Sequence, residues 1–153
     1  MYIRNYKPED CREIINLFYE TVHTVNKRDY TEAQLNVWAT KNINSELWNK
    51  SFLKNFTVVA CEDDLIIGFG DITDTGYLDR LYVHKDYQRK GVATKIVDSL
   101  ENYAKKSGVS IMSTEASITA KNFFRDKGYK VIKSQQVKRG NELLENFVME
   151  KKI

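Results

Sequence analysis

The feature that most constrains this chain is the stretch YLDRLYVHKDYQRKGVATKIVDSLENYAKKSG at residues 77–108. Residues 77–83 are rich in β-formers and read as a strand ending at Val83. Val92, Ile96, Val97, Leu100 and Ala104 fall on one face at helical spacing, with Tyr103 adjoining, and Gly108 stops the helix. A short polar loop joins the two, and Gly91 sits at the helix mouth. The first N–H groups of a helix have no intrahelical partner. Together with the helix dipole they form an anion site suited to phosphate. Gly91 and the small Ala93 let the backbone approach an anion, while Gln88, Arg89 and Lys90 surround it with donors and positive charge, and Thr94 adds a hydroxyl. A glycine near a helix start is also common where no ligand binds. The stretch is neither a Walker A loop nor a dinucleotide fingerprint, because G-x-x-x-x-G-K-[ST] and G-x-G-x-x-G are both absent.

Strands and helices are predicted on either side of this unit. Residues 2–6 alternate as a short strand. Asp10 reads as an N-cap with Glu13 as its capping-box partner, ahead of a helix striped by Ile14, Ile15, Leu17, Phe18 and Val22. Thr31 caps a short helix carrying Leu35 and Trp38, and residues 45–53 form a further piece. FTVVAC, EDD and LIIGFGDI at residues 56–72 read as a β-hairpin. Beyond Gly108, a strand at 109–113, a helix at 117–127 with Ala120, Phe123 and Phe124 inward, and strands at 129–137 and 143–151 around an RGN turn complete the order. Strands that alternate with helices in the middle and flank them in hairpins imply an α/β or α+β fold with a mixed sheet.

With 153 residues, 42% apolar and 29% charged, the composition is that of one globular domain spanning 1–153. A net charge of +3 does not make the dense basic stripe that nucleic acid requires. Two lone cysteines, Cys11 and Cys61, with His23 and His84 do not assemble a zinc motif, so buried, reduced thiols and no metal are expected. The N-terminal residues lack the apolar core of a signal peptide, and no apolar run approaches the ~20 residues of a membrane span, so a cytoplasmic protein without membrane contact is the expectation.

Residues 77–108 resemble the signature of the GNAT superfamily of acyl-CoA-dependent N-acyltransferases. Its [Q/R]-x-x-G-x-[G/A] block corresponds to Gln88, Arg89, Lys90, Gly91, Val92 and Ala93, and ASITAKNFFRDKGYKVI is similar to the family's A-x-x-F-[Y/F]-x-x-x-G-[F/Y] block. The segment from Arg28 to Trp38 resembles uncharacterised bacterial members. The resemblance implies a GNAT fold: a mixed, mostly antiparallel twisted sheet of about six or seven strands with helices on both faces. It implies acetyl-CoA as co-substrate, with the backbone of Leu81, Tyr82 and Val83 pairing with the pantetheine arm and the amides from Gln88 to Thr94 holding the pyrophosphate. Strands 77–83 and 109–114 would splay apart to admit the thioester. An amine of a small molecule or peptide would then attack directly in a ternary complex, and the assembly could be a homodimer. Phe124 departs from the family pattern, because many members place there a Tyr that protonates the leaving thiolate; Tyr82, Tyr129 or solvent are the substitutes. Ser117 stands where many members place an Asn that contacts the pantetheine arm.

For the base, the period of two puts Tyr77, Asp79, Leu81 and Val83 on one face, which makes Asp79 a candidate, with an Asp79–Arg80 or cross-sheet ion pair as the alternative. Glu115 lies at the opposite lip of the slot and is the second candidate; a helix N-terminal charge is its alternative. Asp29, Tyr30, Trp38 and Phe124 are the candidate acceptor-binding residues, with Trp48 as a further aromatic, and an aromatic wall with one carboxylate would suit a cationic amine. A non-catalytic acyl-CoA-binding protein is the alternative function. A nucleic-acid module is the more distant rival.

Overall fold

In the computed structural model, which describes all 153 residues, the chain runs β1 (Tyr2–Asn5), α1 (Cys11–Thr24), α2 (Glu32–Trp38), α3 (Ser45–Lys54), β2 (Phe56–Glu62), β3 (Leu65–Ile72), β4 (Tyr77–Val83), α4 (Val92–Lys106), β5 (Ile111–Ser117), α5 (Lys121–Asp126), β6 (Lys130–Arg139) and β7 (Glu142–Lys152). The seven strands form one sheet in the order β1-β2-β3-β4-β5-β7-β6, and β4–β5 is its only parallel pair. Two apolar layers cover it. Ile14, Phe18, Val22, Leu35 and Phe52 bring α1, α2 and α3 onto one face, against Val59 and Phe69. Ile96, Val97, Leu100 and Phe124 bring α4 and α5 onto the other, against Val58, Ile67 and Met112.

The alternating glycines of LIIGFGDI explain how closely α4 lies on β3. A Cβ at Gly68 would come within 2.9 Å of Val92 and Ile96, and one at Gly70 within 2.8 Å of Ile96. The start of α4 is thereby held tight to the centre of the sheet, which fixes where the loop before it opens.

Three local expectations are corrected. Asp10 and Glu13 form no capping box. The Asp10 carboxylate receives Arg4 Nη1 and Nη2 at 2.8 and 2.9 Å and the Lys7 N–H at 2.8 Å, while Glu13 accepts the Ile66 N–H at 2.9 Å. Burial pushes the Asp10 carboxyl up, but the Arg4 fork and the Lys7 N–H outweigh it and hold it below the usual carboxylate range. The fifth strand runs to Ser117 rather than 113, because Met112, Thr114 and Ala116 are buried while Glu115 is exposed and Ser113 and Ser117 are half-exposed, a strand's two-faced pattern. The helix after it is correspondingly shorter. The third correction concerns β4. Its pairing with β3 shifts by one between Asp71↔Arg80 and Ile72↔Leu78, so Asp79 is the extra residue of a β-bulge. Leu78, not Asp79, shares the α4 face with Leu81 and Val83. The period of two fails at the one residue where it mattered.

Candidate active site

The bulge coincides with the place where the sheet opens. Strands β4 and β5 pair only at Tyr77↔Ser113 and Leu78↔Thr114, with the Thr114 hydroxyl donating to the Leu78 carbonyl at 2.9 Å. Beyond these pairs the strands part. Asp79 and Glu115 are the first residues past the last pair, one on each strand, so both candidate bases flank the apex of the slot. A buried ion pair pins the bulge: Arg80 Nε and Nη2 donate to Asp71 Oδ1 and Oδ2 at 3.2 and 2.7 Å, and the Asp71 side chain is wholly buried. The Arg80 guanidinium also lies over Phe52 and Trp48, 4.4 and 5.1 Å from their ring centroids.

Past the bulge, β4 regains an antiparallel alternation with β3. The His84 N–H donates to the Ile67 carbonyl at 2.8 Å, so Tyr82 and Arg80, two and four residues back, also turn their backbone groups to β3. Leu81 and Val83 therefore turn theirs toward the slot. Of the three residues expected to offer backbone there, Leu81 and Val83 do and Tyr82 does not. The Val83 carbonyl is already taken by Gln88 Nε2 at 2.7 Å and the Thr21 hydroxyl at 2.9 Å, which leaves its N–H.

The loop into α4 has the backbone conformation of an anion nest. Arg89 and Gly91 both have left-handed backbones, with φ of 61° and 80°, in a run of three residues. Alternation of this kind turns successive N–H groups inward as a concave nest. A Cβ at Gly91 would meet nothing within 4 Å, so the space beside this residue is open. Val92, Ala93 and Thr94 continue the cradle in the first turn of α4, and with Gln88, Arg89 and Gly91 they line the cavity. Two side chains depart from expectation. The Gln88 amide ties the loop to Val83, and Lys90 lies over the Tyr87 ring, 5.3 Å from its centroid, outside the cavity lining.

One cavity of about 920 Å³ runs from this cradle through the slot to the other face of the sheet. At the far end Tyr77 donates its phenol proton to Glu115 Oε2 at 2.9 Å, and Gln135 bonds the other carboxylate oxygen. Burial first, and the Glu115 bond second, push the Tyr77 phenol well above its ordinary range. Asp79 also lines the cavity; its carboxylate is 41% exposed and 3.5 Å from Arg80. Tyr30 and Trp38 line the wall in an edge-to-face pair with centroids 5.1 Å apart. The Tyr30 hydroxyl straps the site together, donating to the Glu145 carbonyl at 2.6 Å and accepting the Ile118 N–H at 2.9 Å.

The structure does not bring all the expected acceptor residues here. Asp29 is absent from the lining, because its carboxylate accepts the Thr119 hydroxyl at 2.8 Å and pairs with Arg28 at 3.3 Å. Trp48 is a packing residue, set against Phe18, Phe52 and Arg80. Phe124 touches the cavity from the opposite face to Tyr30 and Trp38, 2% exposed, between Phe123 and Tyr129. Ser117 lines the cavity, but its hydroxyl accepts the Ala120 N–H at 3.1 Å. Of the substitute acids, Tyr129 is spent on Glu101 Oε2 at 2.8 Å. Tyr82 lines the cavity and keeps its proton, since burial pushes its phenol up to about 12. Sequence reading missed Arg28, Arg139 and Asn146, all of which line the cavity. The Gly140-Asn141 turn was the signal that placed Arg139 and Asn146 on one hairpin, but nothing local aimed that hairpin at the slot.

A splayed parallel pair, a bulge at its apex and a glycine-opened anion nest on the following helix match the resemblance read from residues 77–129. Residues 26–152 match the family described as the acetyltransferase (GNAT) domain. The chain belongs to the GNAT family of N-acetyltransferases. Among relatives, it is 31% identical over 147 residues to the uncharacterized N-acetyltransferase YafP of Escherichia coli K12, covering 96% of this chain and 93% of YafP. A GCN5-related N-acetyltransferase from Rhodopseudomonas palustris superposes with a TM-score of 0.95 at 29% identity, covering 99% of this chain and 95% of the other. The PaiA N-acetyltransferase of Thermoplasma acidophilum, solved in complex with coenzyme A, shares the fold with a TM-score of 0.81 at 22% identity, covering 99% and 98%. No helix of this family member is long and apolar enough to cross a membrane, and no three His, Cys, Asp or Glu side chains cluster as a metal site.

Proposed function

We propose that the 153 residues act as a single domain that transfers an acetyl group from acetyl-CoA to an amine, by direct attack in a ternary complex. The observation that carries this reading is the continuity of the cavity from the nest to the two carboxylates. The nest and the α4 amides suit the pyrophosphate of acetyl-CoA. The free backbone groups of Leu81 and Val83 suit the pantetheine amides, added as an extra half-strand along the edge that β5 leaves unpaired. Bound there, acetyl-CoA supplies an activated thioester whose acetyl carbon lies near the apex of the slot.

The chain's own contribution is positioning, which can supply roughly 7–11 kcal/mol of such a barrier. The Leu81 N–H, the slot-facing amide nearer the apex, is the donor offered to the thioester carbonyl, and the Val83 N–H is left to the pantetheine arm. Asp79 is the base: it stands at the apex, reaches solvent and accepts no hydrogen bond, its one charged partner being Arg80 at 3.5 Å from Oδ2. Glu115 uses both oxygens to hold Tyr77 and Gln135, and acts by drawing an ammonium to the apex. Thiolate departure needs no acid from Phe124; Tyr82 and solvent are the proton sources.

The test is the pH–rate profile of two variants. Asp79→Asn lowers kcat by roughly 10²–10⁴ and removes the acidic limb, with acetyl-CoA affinity retained. Glu115→Gln raises the acceptor KM more than it lowers kcat. An unaltered acidic limb in Asp79→Asn removes Asp79 from the mechanism, and unaltered limbs in both variants assign deprotonation to water. Turnover absent from the wild type with every amine, alongside intact CoA binding, would favour the acyl-CoA-binding alternative.

A further inference from the structure

The acceptor end of the cavity carries both signs of charge. Asp79 and Glu115 stand at the apex, and Arg28 and Arg139 stand in the same lining. Arg139 makes no salt bridge or side-chain hydrogen bond, and Arg28 pairs only with its neighbour Asp29, through Nε at 3.3 Å. Arg139 belongs to the same lining as the carboxylates, on the strand β6 whose Gln135 bonds Glu115. A second, independent feature lies beside them. Asn146 Oδ1 is the one buried side-chain polar atom without a hydrogen-bond partner, and Asn146 lines this cavity opposite Ser117. An orphaned buried acceptor costs free energy unless a donor reaches it, and a bound N–H is such a donor.

The carboxylate expected to recognise a cation, Asp29, is withdrawn to Thr119, and guanidiniums with free donors take its place on the wall. A polycation would meet Arg28 and Arg139 as like charges. A guanidinium with unspent N–H donors suits a planar carboxylate or a phosphate. We infer that the acceptor is a small amine that also bears an anionic group, its nitrogen directed to Asp79 and Asn146 and its anion to Arg139. The aromatic pair Tyr30–Trp38 leaves an apolar wall for the part between them. The inference rests on the acetyl-transfer reading for its chemistry, but it concerns recognition and is tested by binding.

The experiment titrates matched ligands into the protein with and without CoA: phenylalanine, phenylalaninamide and phenethylamine, the corresponding leucine series, phosphoethanolamine against ethanolamine, and spermidine. Acetylation of each is measured separately. The inference predicts that the carboxylate- or phosphate-bearing member of a series binds at least about tenfold more tightly than the counterparts that lack the anion, the size of one charge-assisted contact. The carboxylate and phosphate arms identify which anion fits. Arg139→Gln should shrink that preference, and Arg139→Lys should retain most of it, with thermal unfolding of both variants checked against the wild type. Equal or tighter binding of the amides, the decarboxylated amines or spermidine overturns the inference, as does an absence of binding throughout. A preference that survives Arg139→Gln overturns the assignment to Arg139. Anion-bearing amines that bind but are not acetylated would leave this inference standing and remove the acetyl-transfer reading; amines without the anion acetylated in preference would do the reverse.

Discussion

Gly91 is where a single methyl group separates stability from binding. Its φ is 80°, and a Cβ built on it would meet nothing within 4 Å. The free protein therefore presents no clash to Gly91→Ala, and the cost is confined to the backbone. An L-residue held in the left-handed region costs about 1–2 kcal/mol. For a chain of this size that corresponds to a fall in Tm of roughly 2–8 °C. Gly91→Val adds β-branching at the same φ and costs more. If the loop relaxes to escape the strain, the nest formed with Arg89 is lost, and with it the concave set of amides; if it does not relax, the side chain projects into the open space an anion needs. Both routes weaken CoA. Calorimetric Kd values for CoA should rise at least tenfold in Gly91→Val, the equivalent of one lost charge-assisted hydrogen bond of about 1.5–3 kcal/mol. Gly91→Asn is the control, because asparagine tolerates the left-handed region; its Tm should lie closer to the wild type, yet its CoA affinity should still fall. Wild-type CoA affinity in Gly91→Val would refute the argument that this nest binds the cofactor.

Two further outcomes follow from groups away from the loop. Asp10 has a folded-state pKa below its unfolded value, so the stability it contributes is present above about pH 4 and is lost as pH falls through the lower folded value; Asp10→Asn should be less stable at neutral pH and flatten that acid-side loss in urea unfolding, and an acid limb parallel to the wild type would contradict it. Phe124→Tyr adds a hydroxyl to a ring that touches the cavity, so the variant should keep its Tm within a few degrees and change the basic limb of the pH–rate curve; a destabilised variant with unaltered kinetics would show the ring edge facing the core instead.

The parts of the site that were legible in the sequence are those whose chemistry is local. The Gly91 nest lies within a few residues of one helix start, so the glycine, the small Ala93 and the amphipathic stripe after it announce one another. Thr31 capped its helix as its spacing indicated, accepting the Gln34 N–H at 3.2 Å. What escaped depends on register and on distant chain. The bulge at Asp79 is a property of pairing with Asp71 and Ile72, and no alternation within YLDRLYV reveals it. Asp29 and Trp48 looked suited to an amine, but their partners Thr119 and Arg80 lie far along the chain and claimed them first. Arg139 and Asn146 arrive on a hairpin whose aim is set by β7 pairing with β5, a contact between segments some thirty residues apart. Composition could not say which charges would face one another inside the fold.

The central claim is that one cavity brings a bound acetyl thioester to an amine at the Asp79–Glu115 apex. Incubation with isotopically labelled acetyl-CoA and an amine panel, followed by mass spectrometry of the acceptors and a parallel measure of free thiol, tests it directly. The account predicts labelled N-acetyl product in one-to-one ratio with CoA thiol, lost in Gly91→Val and strongly slowed in Asp79→Asn. Thiol release without acetylated amine, or product formation that both variants leave intact, would contradict it.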